Sequence, residues 1–255
     1  MKVLFIGDVF GTQGQKAVKK YLPKLKMDYK PSFIFLNGEN IDKGFGITKA
    51  IYKELMSMGI SAITLGNHAF GKKDLLEYID GSKIIRPANY PDVVPGQGYI
   101  NIKFNDKTIT LVNMMGRVFM GDSLNNPFDK IDQIIDEVNE LGTDYIFVDF
   151  HAEATSEKLA FGHYCDGRVT AVVGTHTHVP TADAMVLPKG TMYISDIGMT
   201  GAKYGILGAD KDLILRKFTT GLRERIVEEQ SNILQFNAVI LDTVTNQIKS
   251  INIFE

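Results

Sequence analysis

The sequence contains a single cysteine, Cys165, and no tryptophan. One thiol excludes an intramolecular disulfide, and it leaves nothing from which to build a cysteine-ligated zinc site. An excess of one charge is missing too: 28 basic residues face 30 acidic ones, a formal net charge of −2. So even a balance gives no reason to expect binding to a long nucleic-acid duplex. Long apolar runs are also absent. The opening "MKVLFIGDVFGTQG" breaks at Gly7 and Asp8, too soon for a signal-peptide core or a membrane span. The expectation is a soluble, cytoplasmic chain without a membrane partner.

What remains is ordinary globular composition, 44% hydrophobic and 23% charged over 255 residues. That is enough chain to bury a substantial core. With no linker, repeat or low-complexity tract in view, one domain spanning 1–255 is the simplest organisation.

Short apolar runs recur in "KVLFIGD", "SFIFLNGEN", "SAITLGNH", "DYIFVDFH" and "RVTAVVGTHTH", each read as a buried strand opening into a loop. Helical spacing lies between some of them. Ile51, Leu55 and Met58 share one face before a stop at Gly59, and Ile131, Ile134, Ile135 and Val138 form a stripe between Pro127 and Gly142. "QGYINIKFNDKTITLVNMMG" reads as a hairpin around Asn105-Asp106, and the tail from Asn232 as paired strands turning near Thr245–Gln247. The predicted fold class is an α/β sandwich with mixed sheets.

Polar residues gather where the strands stop: Asp8, Glu39-Asn40, Asn67-His68, His151, and His176 with His178. Loops at the carboxyl ends of strands converge at one edge of an α/β sheet, so these residues are expected to meet. Each has a plainer reading alone. Asp8 suits a helix N-cap, "NGEN" and "GNH" suit turns that use the left-handed freedom of Gly and Asn, and a lone His151 suits a hydrogen-bonded core. His176 and His178, two apart on an extended strand, would point the same way with Thr177 opposed. The coincidence at equivalent positions favours a site.

Carboxylates, amides and imidazoles without thiolate suit Fe, Mn or Zn. The donors outnumber what one tetrahedral ion takes but fit two ions sharing Glu39. Two ions about 3.5–4 Å apart with a water or hydroxide between them hydrolyse phosphate esters. His68, next to Asn67, is expected at the rim as proton donor to the leaving oxygen.

"GD" at 7–8, "GNH" at 66–68 and "GTHTH" at 174–178 resemble the calcineurin-like metallophosphoesterase superfamily. "GENIDKGFGIT", "DFHAEATSEK" and "GTHTHVPTAD" narrow the resemblance to its YmdB-type branch of cyclic-nucleotide phosphodiesterases. The resemblance implies a four-layer α/β/β/α sandwich of two mixed β-sheets and a dinuclear site, usually with iron. One ion would take Asp8, Glu39, Asn40 and His178. The other would take Glu39, Asn67, His151 and His176, with a bridging hydroxide attacking and His68 as acid. The wider superfamily has Asp-x-His at the first strand end and an Asp in its second motif. Here Phe10 and Glu39 stand at those places.

In the same segments, Thr155 and Ser156 read as caps of a following helix with Glu157 and Lys158 in its first turn. "GMTGAKYG" reads as a loop or a substrate border, and His163 and Cys165 as structural. Met114, Met115 and Phe119 are core or a partner surface, leaving a homo-oligomer open. The leading function is hydrolysis of small 2′,3′-cyclic or 3′,5′-cyclic nucleotides. The alternatives are a phosphoesterase of RNA ends or phosphoproteins, and a metal- and nucleotide-binding regulator. An amidohydrolase barrel also uses His-x-His, but near its N-terminus, and the hairpins do not suit it.

Overall fold

The computed structural model describes residues 1–121 and 123–255. In chain order, β1 (Lys2–Ile6) leads into α1 (Gly11–Tyr29), β2 (Phe33–Asn37), α2 (Lys49–Ser57), β3 (Ala62–Thr64) and β4 (Ile84–Ile85). Next come β5 (Tyr99–Phe104), β6 (Lys107–Met115), α3 (Pro127–Glu140), β7 (Tyr145–His151), α4 (Thr155–Cys165) and β8 (Ala171–Thr175). The chain closes with β9 (Met185–Val186), β10 (Met192–Ile194), β11 (Gly201–Ala202), α5 (Lys211–Thr220), β12 (Leu234–Asp242) and β13 (Gln247–Phe254).

Two mixed sheets result. One runs β11-β12-β1-β2-β3-β4 with β13 on β12, and the other β5-β6-β7-β8-β10-β9. β1 to β4 are mutually parallel, as are β6, β7, β8 and β10. Strand alternation sorts the core into three layers. Leu4 and Ile6 pack outward with Val18 and Leu22 of α1, while Val3 and Phe5 face inward with Ile109, Leu111 and Phe147 of the other sheet. Val148 and Phe150 face outward onto Ile131, Ile135 and Phe161 of α3 and α4. This is the expected α/β/β/α sandwich.

Both anticipated hairpins form, β5–β6 and β12–β13, with Asn105 and Asn246 in left-handed turns. α2 stops before Gly59 (φ +86) and α3 before Gly142 (φ +77). α1 and α5 carried no expectation. Gly11, Gly14 and Pro23 interrupt the α1 pattern, and α5 buries only Ile214. Among the described residues no helix is long and apolar enough to cross a membrane.

Several local expectations are corrected. β8 ends at Thr175, so His176 and His178 are not on a strand; both take positive φ, +101° and +66°. They converge through a left-handed loop instead of a pleat. α4 is capped by Ala154 without a side-chain bond, so neither Thr155 nor Ser156 is its N-cap. Asp8 does not cap α1, whose N-cap is Phe10. "NGEN" and "GNH" do turn, with the Gly38 and Gly66 carbonyls accepting from the Ile41 and Ala69 amides, but neither glycine takes positive φ; what each supplies is space. Met114 and Met115 are fully buried core, whereas Phe119 is 87% exposed.

Candidate metal centre

Parallel strands bring the polar termini to one edge. Asp8, Glu39 and Asn40 follow β1 and β2, Asn67 and His68 follow β3, His151 ends β7, and His176 and His178 follow β8. All eight predicted residues gather there. Nε2 of His151 lies 3.0 Å from Asn67 Oδ1, 3.2 Å from Glu39 Oε1 and 3.0 Å from His176 Nδ1. Glu39, His151 and His176 offer donor atoms within 4.8 Å of one another. On the other side, His178 Nε2 lies 3.3 Å from Asn40 Oδ1. Asp8 is fully buried; its Oδ2 accepts from the His176 amide at 3.1 Å, and its Oδ1 has no hydrogen-bond partner among the described residues.

The outward nitrogens of the histidines decide what the inward ones present. Thr175 Oγ1 donates to Asp149 Oδ1 (2.6 Å), so its lone pair accepts from His151 Nδ1 (2.9 Å). His176 Nε2 donates to Glu153 Oε2 (3.0 Å), and His178 Nδ1 to the Leu207 carbonyl (3.0 Å). Each ring is thereby held in the tautomer whose lone pair points into the cluster, the usual arrangement around metal-ligating histidines. The inward atoms are all acceptors, crowded face to face and in need of positive charge between them. With the orphaned Asp8 oxygen, this donor set fits bound cations.

Without an ion, protons answer part of that need. Burial alone would lower the His151 pKa, but Glu39, Asp8 and Asp149 outweigh it and raise it to about 9. Burial works against the Glu39 carboxylate, yet His151 and His68 hold its pKa at about 2. Burial pushes Asp8 up to about 6, and burial with the His151 charge pushes His176 down to about 3.

His68 stands at the rim, its side chain 31% exposed, with its backbone amide donating to Glu39 Oε2 at 3.0 Å. Asn40 Nδ2 donates to His68 Nδ1 at 2.8 Å, which leaves Nε2 as the proton-bearing atom. Phe45 packs on the ring at a 4.6 Å centroid distance.

Beneath the histidine loop, buried Lys158 donates to the Thr175 carbonyl (2.6 Å) and to Asp196 Oδ2 (2.7 Å). Asp196 also accepts from the Thr177 amide at 3.0 Å and the Gly198 amide at 2.8 Å. Asp149 ties the two sheets together, accepting from Asn37 Nδ2 (3.0 Å) and Thr64 Oγ1 (2.5 Å). These supports were missed in the sequence. A charged residue inside the apolar run "YIFVDFH" was a usable signal for Asp149; Lys158 gave none. "GMTGAKYG" packs under Asp8 and His178 through the Thr200 and Met199 amides.

A cavity of about 380 Å³ opens beside the cluster. His68, Glu39, His176 and His178 form one end, and Phe45, Leu207, Ile214, Phe218 and Ile226 an apolar wall with Lys217. One polar end and one apolar wall is the form of a small-molecule site.

Comparison with known proteins agrees over the whole chain. A 2′,3′-cyclic-nucleotide 2′-phosphodiesterase of Bacillus subtilis (strain 168) is 48% identical over 254 residues, covering 99% of this chain and 95% of that protein. A hypothetical protein from Thermus thermophilus superposes with a TM-score of 0.94 at 39% identity, covering 100% of both chains. A phosphatase structure from Mycoplasma pneumoniae gives 0.92 at 36% identity, covering 100% of this chain and 94% of that one. The model of the YmdB-like protein family matches residues 4–254, and the chain belongs to that family.

Proposed function

We propose that the protein is a metal-dependent phosphodiesterase that opens the 2′,3′-cyclic phosphate of small nucleotides, with the 3′,5′-cyclic linkage as a second substrate. The observation that carries this reading is the set of histidine lone pairs turned inward by Thr175, Glu153 and the Leu207 carbonyl, beside a cavity of nucleotide size. The name of the Bacillus subtilis relative supports the 2′,3′ linkage.

Asp8, Glu39, Asn40 and His178 would hold one ion, and Glu39, Asn67, His151 and His176 the other, with Glu39 shared. Bound there, two ions would neutralise the phosphoryl oxygens and lower the pKa of the attacking water; the donors suit Fe, Mn or Zn. The apolar wall takes the nucleoside and orients the cyclic phosphate toward the cluster. Water adds to phosphorus and releases one proton, the P–O2′ bond breaks, and O2′ receives a proton from Nε2 of the His68 imidazolium, which the released proton restores, leaving a nucleoside 3′-phosphate. Asn40 holds the neutral ring at Nδ1 and so sets Nε2 as the edge that faces the leaving oxygen. Phe45 packs against the same ring.

The test is turnover of 2′,3′-cyclic and 3′,5′-cyclic AMP by protein loaded with Fe, Mn or Zn. His68→Ala should lose about 10²–10⁴ in kcat, the scale of general-acid catalysis, while keeping its metal content. Glu39→Ala should lose both metal and turnover. Bound metal without turnover of either substrate would reject the reading in favour of another phosphoester or a regulatory role.

A further inference from the structure

The segment "DKGFG", Asp42 to Gly46, is built to display Phe45 and Lys43. Lys43, Gly44 and Gly46 all take positive φ (+56°, +87° and +66°). The turn is closed by the Gly44 amide on the Asn40 carbonyl (3.0 Å), the Phe45 amide on the Asp42 carbonyl (3.1 Å), and the Gly46 amide on the Glu39 carbonyl. Phe45 lies at its tip, 41% exposed, against His68. An L-residue held left-handed at Lys43 costs backbone energy that a plain connecting loop avoids.

Phe45 and Ile226 line the cavity beside the metal cluster, and both also line a second groove of about 680 Å³. The two spaces are neighbours across this aromatic divider. The second groove carries Lys43, Lys72 and Arg225, with Glu228 as the acidic residue of its lining. Glu228 is committed elsewhere: its carboxylate accepts from the Thr12 amide (2.7 Å) and hydroxyl (2.9 Å) at the start of α1. Lys72 pairs with Asp42 at 2.6 Å. Lys43 and Arg225 are exposed and form no ion pair among the described residues. The groove therefore presents two uncommitted cations beside an exposed aromatic ring that reaches the catalytic end.

A mononucleotide uses the first cavity and leaves the second empty. What continues from a 2′,3′-cyclic nucleotide is its 5′ oxygen, and in an RNA strand that oxygen carries the next phosphate. Cationic side chains interleaved with an aromatic ring are how single-stranded RNA is held without reading its sequence. We propose that the groove of Lys43, Lys72 and Arg225 is a second nucleotide subsite, so that the site acts on oligoribonucleotides ending in a 2′,3′-cyclic phosphate. The preceding phosphate lies against Lys43 and Arg225 and the preceding base against Phe45. This rests on the phosphodiesterase reading above. The reaction is the same: water is consumed, the P–O2′ bond breaks, O2′ takes a proton, and a 3′-phosphate end is left on the RNA.

Two measurements test it. The first compares kcat/KM for 2′,3′-cyclic AMP with that for the diadenylate carrying a terminal 2′,3′-cyclic phosphate. Expected is a preference for the dinucleotide of about tenfold or more, the scale of one base–aromatic stack. In Lys43→Gln/Arg225→Gln, which leaves the Phe45 stack in place, the preference should fall severalfold while the mononucleotide value stays unchanged. Equal values in the unmodified protein, or equal losses on both substrates in the variant, would overturn the subsite. The second needs no turnover: anisotropy of a labelled tetra-adenylate ending in a 3′-phosphate, titrated at several salt concentrations. The double variant should bind more weakly, with a salt slope smaller by about 0.7 for each phosphate it no longer neutralises. Unchanged binding and slope would overturn the subsite. If no cyclic phosphate is hydrolysed yet binding and slope respond to the variant, the phosphodiesterase reading fails and the nucleic-acid groove stands.

Discussion

Lys158 and Asp196 form an ion pair of 2.7 Å with each side chain only 1% exposed, directly beneath the loop that carries His176 and His178. The pair grips that loop at two points, the Thr175 carbonyl through Lys158 and the Thr177 amide through Asp196. Both histidines hold left-handed backbone, which has to be over-determined by its surroundings to persist.

Removing the cation leaves a buried, uncompensated carboxylate. Lys158→Met should therefore cost about 3–5 kcal/mol of unfolding free energy. Lys158→Met/Asp196→Asn should recover part of that loss by removing the charge. Denaturant unfolding of the metal-free protein reads both, and equal stability of the single and double variants would contradict the pairing.

Thr175 links Asp149 to His151 through one hydroxyl. Thr175→Val keeps the shape and deletes the link, leaving His151 free to take the wrong tautomer. Metal affinity should fall about 10–100-fold, as for other partners of ligating histidines, and Thr175→Ser should retain it. A competition titration with a metal-binding dye measures the difference.

Gly66 leaves no room for a methyl group: a Cβ there would overlap the His151 ring and Glu39 Oε2. Gly66→Ala should fold, since its backbone is not left-handed, but lose bound metal. The readout is metal content by elemental analysis beside an unchanged far-UV circular dichroism spectrum. Full metal occupancy in the variant would show that these residues are not the ligands.

The metal-free His151 pKa of about 9 lies above the ordinary histidine value of 6.5. A raised folded-state pKa gives stability that is fully present below 6.5 and lost as pH rises through about 9. The metal-free protein should accordingly lose Tm between about pH 7 and 9, while metal affinity rises over that window because the ion displaces the His151 proton. Calorimetric titration in two buffers of different ionisation enthalpy counts the proton released. No buffer dependence at about pH 7.5 would show that His151 is already neutral.

The sequence alone determined the layers and the candidate donors. Alternating apolar strands dictate two-faced sheets, as Val3 and Phe5 against Leu4 and Ile6 show, and parallel strands place their carboxyl ends together. Asp8, Glu39, Asn40, Asn67, His68, His151, His176 and His178 were legible for that reason. Tertiary structure decided how they are held. The His176–His178 loop follows from bonds to Asp8, Lys158 and Asp196, which no local pattern encodes, so a strand was expected where the backbone turns left-handed. Glu153 and the Thr175–Asp149 pair became orienting groups only once β7, β8 and α4 were packed side by side. The second groove needs Lys43 and Arg225, far apart in sequence, to flank one aromatic ring. Periodicity reports which face of an element is apolar; hydrogen-bond partners between distant elements depend on distances that only packing sets.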